Sequence, residues 1–278
     1  MRRMKKSKIV GSLWMGLVMV GCGILAGASI PSAAYSVEIG GEEVGITVDF
    51  TYATKYIWRG YDVFYDDRPL FQPSVVIDWR GFSAGFYGLL SDGAEGDDGV
   101  EHFELDFGLG YERSFWEEER YALDISLDYT YFAYPNHHRS EVDGEEIALA
   151  VSMPNLIPLG PSILVPSYEM AYEWHGLEGG TNFDEGFIHT LGLSYAIPIP
   201  VLIPAQEEQA IDLSWNIAYN SGCYETDSSW THTTIGASTT FEYGQFYFTP
   251  ALYYQWSFED TMNEEDEFYA SFSAGFLF

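Results

Sequence analysis

The chain has 278 residues, 42 of them acidic against 12 basic, and Phe, Trp and Tyr make up 17% of it. A net charge of −30 excludes nucleic-acid binding by phosphate neutralisation, and the aromatic content excludes an acidic disordered chain. Something large and apolar is being covered by a polypeptide whose charged partners should be cations.

The first eight residues hold Arg2, Arg3, Lys5, Lys6 and Lys8 and no acid. Ile9–Ile30 is almost wholly apolar or small, and Ser32-Ala33-Ala34 offers a small-x-small cleavage pattern. This reads as a cleaved secretory signal over residues 1–34, followed by one domain over 35–278. Two rival readings are weaker. A retained transmembrane helix is disfavoured by the Gly-rich core and the adjoining cleavage pattern. Lipid attachment at Met19-Val20-Gly21-Cys22 is disfavoured because the apolar run continues through Ile24, Leu25 and Ala26. Cleavage leaves 244 residues (278 less 34) and removes five cations, so the mature net charge falls to −35. Only Cys223 then remains, and it is open to an intermolecular bridge or to a free thiol.

From Val44 onward the period is two. Val44, Ile46, Val48, Phe50, Tyr52, Tyr56 and Trp58 alternate with Gly45, Thr47, Asp49, Thr51, Ala53, Lys55 and Ile57. The pattern returns at Phe103–Tyr111, Leu123–Tyr131 and Ile211–Tyr219, and helical spacing fits none of these. Twelve strands are predicted, near 44–59, 71–79, 82–90, 101–115, 121–134, 145–153, 163–175, 187–197, 210–220, 230–243, 246–258 and 267–278. Pro73 and Pro166 should mark bulges or strand ends. Long acidic loops follow odd strands and mostly tight turns follow even ones. The Pro-rich turns 154–162 and 198–209 are exceptions that would lie in a membrane interface or cap a floor.

Long loops on one side, short turns on the other and an even strand count predict an all-β fold, a transmembrane antiparallel up-and-down β-barrel of twelve strands. A soluble β-sandwich would alternate too, with shorter strands packed on a second sheet. The barrel also predicts two aromatic girdles: Trp58, Tyr131, Trp174, Tyr219, Trp230 and Trp256 at the loop end, and Trp79, Phe115, Trp116, Tyr121, Tyr243 and Phe246 at the turn end. The chain stops on Phe272-x-Ala274-x-Phe276-x-Phe278, a strand that must pair to its last residue and that would serve as the signal read by outer-membrane assembly machinery.

Tyr56-Ile57-Trp58-Arg59-Gly60, Arg68-Pro69-Leu70-Phe71-Gln72-Pro73-Ser74 and Gly81–Gly88 resemble the opening hairpins of the TorF-type porin family. Glu104-Leu105-Asp106, Gly110-Tyr111 and Tyr134-Pro135 are similar as well, so the likeness covers about residues 44–152. It implies a small outer-membrane barrel of porin type with no assigned solute. The long Pro-rich turns depart from it.

If the apolar positions face lipid, the alternates line a lumen. Those are Asp49, Asp78, Glu104, Asp106, Glu112, Asp124, Asp128, Glu169, Glu173, Asp212 and Glu242, with Lys55, Arg59 and Arg113 as cations. Such a lumen favours cations, and Lys55 and Arg59 should pair with its acids. Small residues such as Gly85, Gly108 and Gly236 leave room for a path. The expected function is passive passage of small cationic or neutral solutes. The alternative is a non-conducting structural or adhesive barrel, or less readily a hydrolase. Catalysis is not expected, because no nucleophile, base and acid are recognisable as a set and the strand serines Ser83 and Ser273 sit among small residues. His102, His175, His189 and His232 near strand ends leave an Asp–His protease open. No cofactor is expected. Partners would be membrane lipid, the assembly machinery, small solutes, and divalent cations at two acidic loops. The loop acids are Asp92, Glu95, Asp97 and Asp98, then Glu259, Asp260, Glu264, Glu265 and Asp266.

Overall fold

The computed structural model describes residues 36–64, 68–95, 101–136, 143–175, 184–204, 206, 208–224, 226–258, 263 and 265–278. The predicted signal and its cleavage fall outside them. The described residues form a closed antiparallel barrel of twelve long strands, each paired to its sequence neighbour. They are β1 Glu42–Ala53, β2 Leu70–Trp79, β3 Phe82–Glu95, β4 Glu101–Phe115, β5 Leu123–Ala133 and β6 Gly144–Ser152. Then come β7 Ser162–His175, β8 Gly186–Ile199, β9 Gln209–Ser221, β10 Ser229–Ser238, β11 Phe246–Ser257 and β12 Glu267–Leu277.

The ends of the chain close the sheet. β12 pairs with β1 from Ser271 opposite Ala53 to Leu277 opposite Thr47. Beyond that ladder Ile46 and Phe278 exchange both backbone hydrogen bonds, at 3.1 and 2.8 Å. Closure leaves no long edge of unpaired donors, which a bilayer would penalise.

Alternation then sorts the side chains. Outward residues expose apolar surface: Leu109 and Phe268 are both 60% exposed, as are large parts of Phe50, Phe86, Phe107 and Phe272. An apolar exterior this continuous would aggregate in water and suits lipid. Rings pair at both margins. Tyr172–Trp174 (5.6 Å), Tyr219–Trp230 (5.4 Å) and Tyr254–Trp256 (4.6 Å) lie toward the long loops, and Phe82–Tyr111 (4.6 Å) and Trp116–Tyr121 (5.9 Å) toward the turns. Arg113 is exposed on the outer side with its guanidinium 5.3 Å from the Phe115 ring, so it is not a lumen cation.

Two boundaries differ from expectation. The first strand stops at Ala53 instead of 59, because the next residues fold inward. The tenth breaks after Ser238 and resumes as a short ladder, Phe241–Tyr243. The break faces Pro250, which has no amide hydrogen to donate. Neither proline marks a bulge or strand end: Pro166 sits inside β7 opposite Leu193 of β8, one residue before the ladder with β6 begins, and Pro73 sits inside β2 facing Gly88.

The Pro-rich turns tie the turn end together. Asn155 donates from Nδ2 to the carbonyls of Glu117 (2.9 Å) and Glu119 (3.1 Å), and Arg120 Nε donates to the Leu156 carbonyl (3.1 Å). Gln206 Nε2 donates to the Thr240 carbonyl at 3.0 Å. Leu159 and Leu202 stay exposed at this rim, as interface residues would.

Candidate functional site: an inward-folded first loop

After Ala53 the chain leaves the wall and enters the barrel. Ile57–Trp58 pairs with Tyr61–Asp62 in a two-residue hairpin whose tip is Arg59-Gly60. Both tip residues have positive φ, 49° and 92°, the requirement of a type I′ turn. The Val63 amide donates to the Tyr56 carbonyl at 2.9 Å and closes the base.

The hairpin is buried by the wall around it. Tyr56 and Ile57 are 1% exposed, and they join Trp58, Phe64, Leu70, Tyr87, Leu89, Phe132, Tyr253 and Tyr269 in one apolar cluster inside the barrel. Trp58 meets Phe132 edge-on at 5.5 Å, and Tyr253 stacks on Tyr269 at 5.0 Å. Trp58 is therefore a lumen residue and not a girdle residue. Alternation alone could not show this, since a loop that turns inward keeps the apolar composition of a strand.

The tip spans the lumen. Arg59 donates from Nε and Nη2 to the two oxygens of Glu146 on β6, at 3.1 and 2.9 Å, and from Nη1 to Glu169 on β7. Glu173 and Asp128 are within Coulombic reach. The guanidinium also lies 5.0 Å from the Trp58 ring centroid. On the other side Gln255 Nε2 on β11 donates to the Gly60 carbonyl at 2.8 Å. A Cβ on Gly60 would stand 2.1 Å from His232 Nδ1, so this tip admits no side chain. A bulge in β10 at Thr231, between the Ala218–His232 and Tyr219–Trp230 pairs, helps to aim that imidazole inward. Lys55 pairs with Glu267, whose other oxygen accepts from Asn263 at 2.9 Å.

A second loop comes in beside the first. Asn220 holds the Cys223 amide and carbonyl, each at 2.8 Å, and Tyr224 at φ 60° directs its hydroxyl to Glu173. Cys223 is 0% exposed and packs with Ile188, Tyr61 and Tyr224. Burial pushes its thiol up, and an intermolecular disulfide is closed to it in this conformation.

The expected inner acids face inward, whereas Arg113 does not. Asp49 accepts from the Tyr247 hydroxyl at 2.5 Å, and Asp78, Asp212 and Glu242 lie toward the turn end. Glu112, Asp124 and Glu169, with Ser126, Ser152, Ser167 and Thr190, line an open pocket that Ile125, Ala150, Val151 and Tyr168 also border and that Glu169 joins to the Arg59 contact. Glu104 and Asp106 are not open lumen groups. They are 1% and 0% exposed, sealed beneath the hairpin, with Tyr56 and Tyr134 bonded to Glu104. Lys55 and Arg59 belong to the loop and not to a strand. Sequence reading missed Glu146, although Ile147 and Leu149 on the outer face imply it by alternation. It also missed Gln255, His232 and Tyr224 as contact residues, because nothing local marks them.

Of the acidic loops, Asp97, Asp98, Glu259, Asp260 and Glu264 lie outside the described residues. Asp266 accepts from the Tyr254 hydroxyl and the Ser257 amide, both at 3.0 Å, as a strand-end cap. Ser83 does stand in a Gly81-x-Ser83-x-Gly85 sequence. It lies within the β3 hairpin ladder opposite Gly110 and not on the strand-to-helix turn that makes such a serine a nucleophile.

No family model matches this chain, and no curated protein matches it by sequence. Solved structures similar in fold include the KdgM porin, at 8% identity and a TM-score of 0.47 over 84% of this chain and 98% of that one. An outer membrane channel from Pseudomonas putida F1 matches at 11% identity and 0.47, over 88% and 98%. The beta domain of the Bordetella autotransporter BrkA matches at 13% and 0.45, over 84% and 98%.

Proposed function

We propose that this chain is an outer-membrane channel with an acidic lumen, closed in the present conformation by its first loop, and that it passes small cationic or neutral solutes when the hairpin moves aside. The observation that carries the reading is the division of the lumen into two parts. Toward the turns lies an open pocket that Glu112, Asp124 and Glu169 help to line, whereas among the described residues the loop-side half is filled by the segment 56–64 packed on wall side chains, with Cys223 and Tyr224 of a second loop beside it. A wall rich in acids attracts cations and repels anions.

The apolar exterior and the lipid it calls for support a site in the bacterial outer membrane, reached by way of the cleaved leader. The aromatic last strand, through Phe272, Phe276 and Phe278, suits recognition by the barrel assembly machinery. The likeness to TorF-type porins rests on the quoted segments alone and is carried as part of this reading, as is the absence of catalysis.

The test is single-channel recording in planar bilayers under a KCl gradient, comparing the mature protein with a variant in which residues 56–64 are replaced by a short Gly-Ser linker. The native protein should be mostly closed, and the variant should show steps with a cation-selective reversal potential. One observation favours the second reading, a plugged structural barrel: the aromatic cluster around Trp58 is packed like a core. Silence from a folded, inserted linker variant would decide for it.

A further inference from the structure

The carboxylates that receive Arg59 form a built site. Glu146 offers both oxygens in the side-by-side geometry that a planar guanidinium fits and a round ammonium does not. Glu169 takes the third nitrogen. Yet one guanidinium does not exhaust the acceptors gathered there. Four buried oxygens, Glu173 Oε1, Glu104 Oε2 and both oxygens of Asp106, accept from no basic, hydroxyl or amide group among the described residues, and carboxyl instead faces carboxyl, Glu104 against Asp106 and Glu173 against Glu146. Glu173 lies directly across the ladder from Glu146, and Asp106 is within Coulombic reach of Glu146. Buried acceptors left unmet cost free energy and are rare in folded proteins unless something else meets them.

The donor now in the site comes from a loop and not from the barrel wall. Arg59 arrives on a loop tip, while all of its carboxylate partners sit on strands. The wall therefore keeps its acceptors in place whether or not the loop is seated.

We infer that this carboxylate cradle is a binding site for small guanidinium solutes, filled in the closed state by Arg59 as a tethered occupant. A free solute of this class competes with Arg59 for Glu146 and Glu169, and a second ammonium on it meets the acceptors that Arg59 leaves open. Binding and hairpin release are then one exchange, in which one guanidinium replaces another. The inference rests on the channel reading only for its purpose, the admission of such solutes.

The probe is agmatine, a guanidinium with a second ammonium, against N-carbamoylputrescine, which keeps the ammonium and replaces the guanidinium by a neutral planar urea, and NaCl at equal ionic strength. Two readouts need no conductance. Calorimetric titration of the mature Arg59→Ala protein in detergent should show agmatine binding, weakened at least tenfold in the Arg59→Ala/Glu169→Gln double variant. In the native protein, Tyr61 of the hairpin packs against the Ile188–Cys223 cluster, so maleimide labelling of Cys223 reports release. Millimolar agmatine should speed that labelling about tenfold, and N-carbamoylputrescine should not. Heat-modifiable gel mobility identifies any variant that fails to fold, and Glu146→Gln then replaces Glu169→Gln.

No agmatine binding to folded Arg59→Ala, or labelling equally fast with NaCl, overturns the inference. Conductance on the same proteins separates the two claims. Agmatine binding with a silent Arg59→Ala barrel keeps the site and sinks the channel, and conductance without binding does the reverse.

Discussion

Gly60→Ala isolates the seating of the hairpin without touching a charge. The alanine Cβ would lie 2.1 Å from His232 Nδ1, so about 1.4 Å must be recovered to reach an ordinary contact of about 3.5 Å. His232 is 6% exposed and its Nδ1 lies 3.0 Å from Thr231 Oγ1, so the ring has little room to retreat. The tip must move instead, and that movement breaks the 2.8 Å bond from Gln255, worth about 1 kcal/mol. Holding an alanine at φ 92° adds about 1–2 kcal/mol of backbone strain. Together about 2–3 kcal/mol is lost from the seated state, a shift of roughly 30- to 150-fold toward the released one. Single-channel recording should show open probability rising by that order, with barrel folding on heat-modifiable gels unchanged. Gly244→Ala is the control, because its φ of 60° imposes similar strain while no atom lies within 4 Å of the added Cβ. Open probability in Gly60→Ala equal to that in Gly244→Ala would refute the idea that the tip contact with His232 closes the lumen.

Trp58→Ala removes a buried indole, which costs about 3–5 kcal/mol in an ordinary core. Here the loss should fall on the hairpin, so Cys223 labelling accelerates while thermal unfolding of the barrel, followed by gel shift, moves little. Deleting Phe278 takes away both backbone bonds to Ile46 and should lower the yield of assembled barrel in the outer membrane several-fold, measured as protease-resistant protein in membrane fractions. Neutralising Glu112, Asp124 and Asp128 in the loop-replaced variant should reduce the K⁺ over Cl⁻ preference, read from reversal potentials, without closing the channel.

The strand count, the pairing order and the outward faces of the wall were legible because a period of two leaves its mark residue by residue, as Phe103–Tyr111 does. The inner acids were legible for the same reason, as the alternates of that period. The plug was not. Tyr56 and Trp58 continue the alternation of β1, so the sequence reads as a strand that runs six residues past Ala53, where β1 ends. The turn at Arg59-Gly60 was the available signal, since a Gly that must hold positive φ ends a strand and opens a hairpin. The partners of that tip come from β6, β7, β10 and β11, at sequence separations of 87 for Glu146 and 195 for Gln255, and no local pattern predicts such contacts.

The charge balance of the chain takes on a structural meaning once the loop is in place. Burying carboxylates around an empty lumen would be unfavourable, because each charge loses hydration without gaining a partner. Two loop cations, Lys55 on Glu267 and Arg59 on Glu146 and Glu169, meet part of that cost from inside the same segment. Surface ion pairs contribute little, but a desolvated bidentate pair leaves a stranded charge when one partner is removed, so such a pair holds a position more than it adds stability. That property suits a stopper. The wall supplies fixed acceptors, the loop supplies a donor of matching shape, and the closed state persists only while no other donor of that shape takes its place.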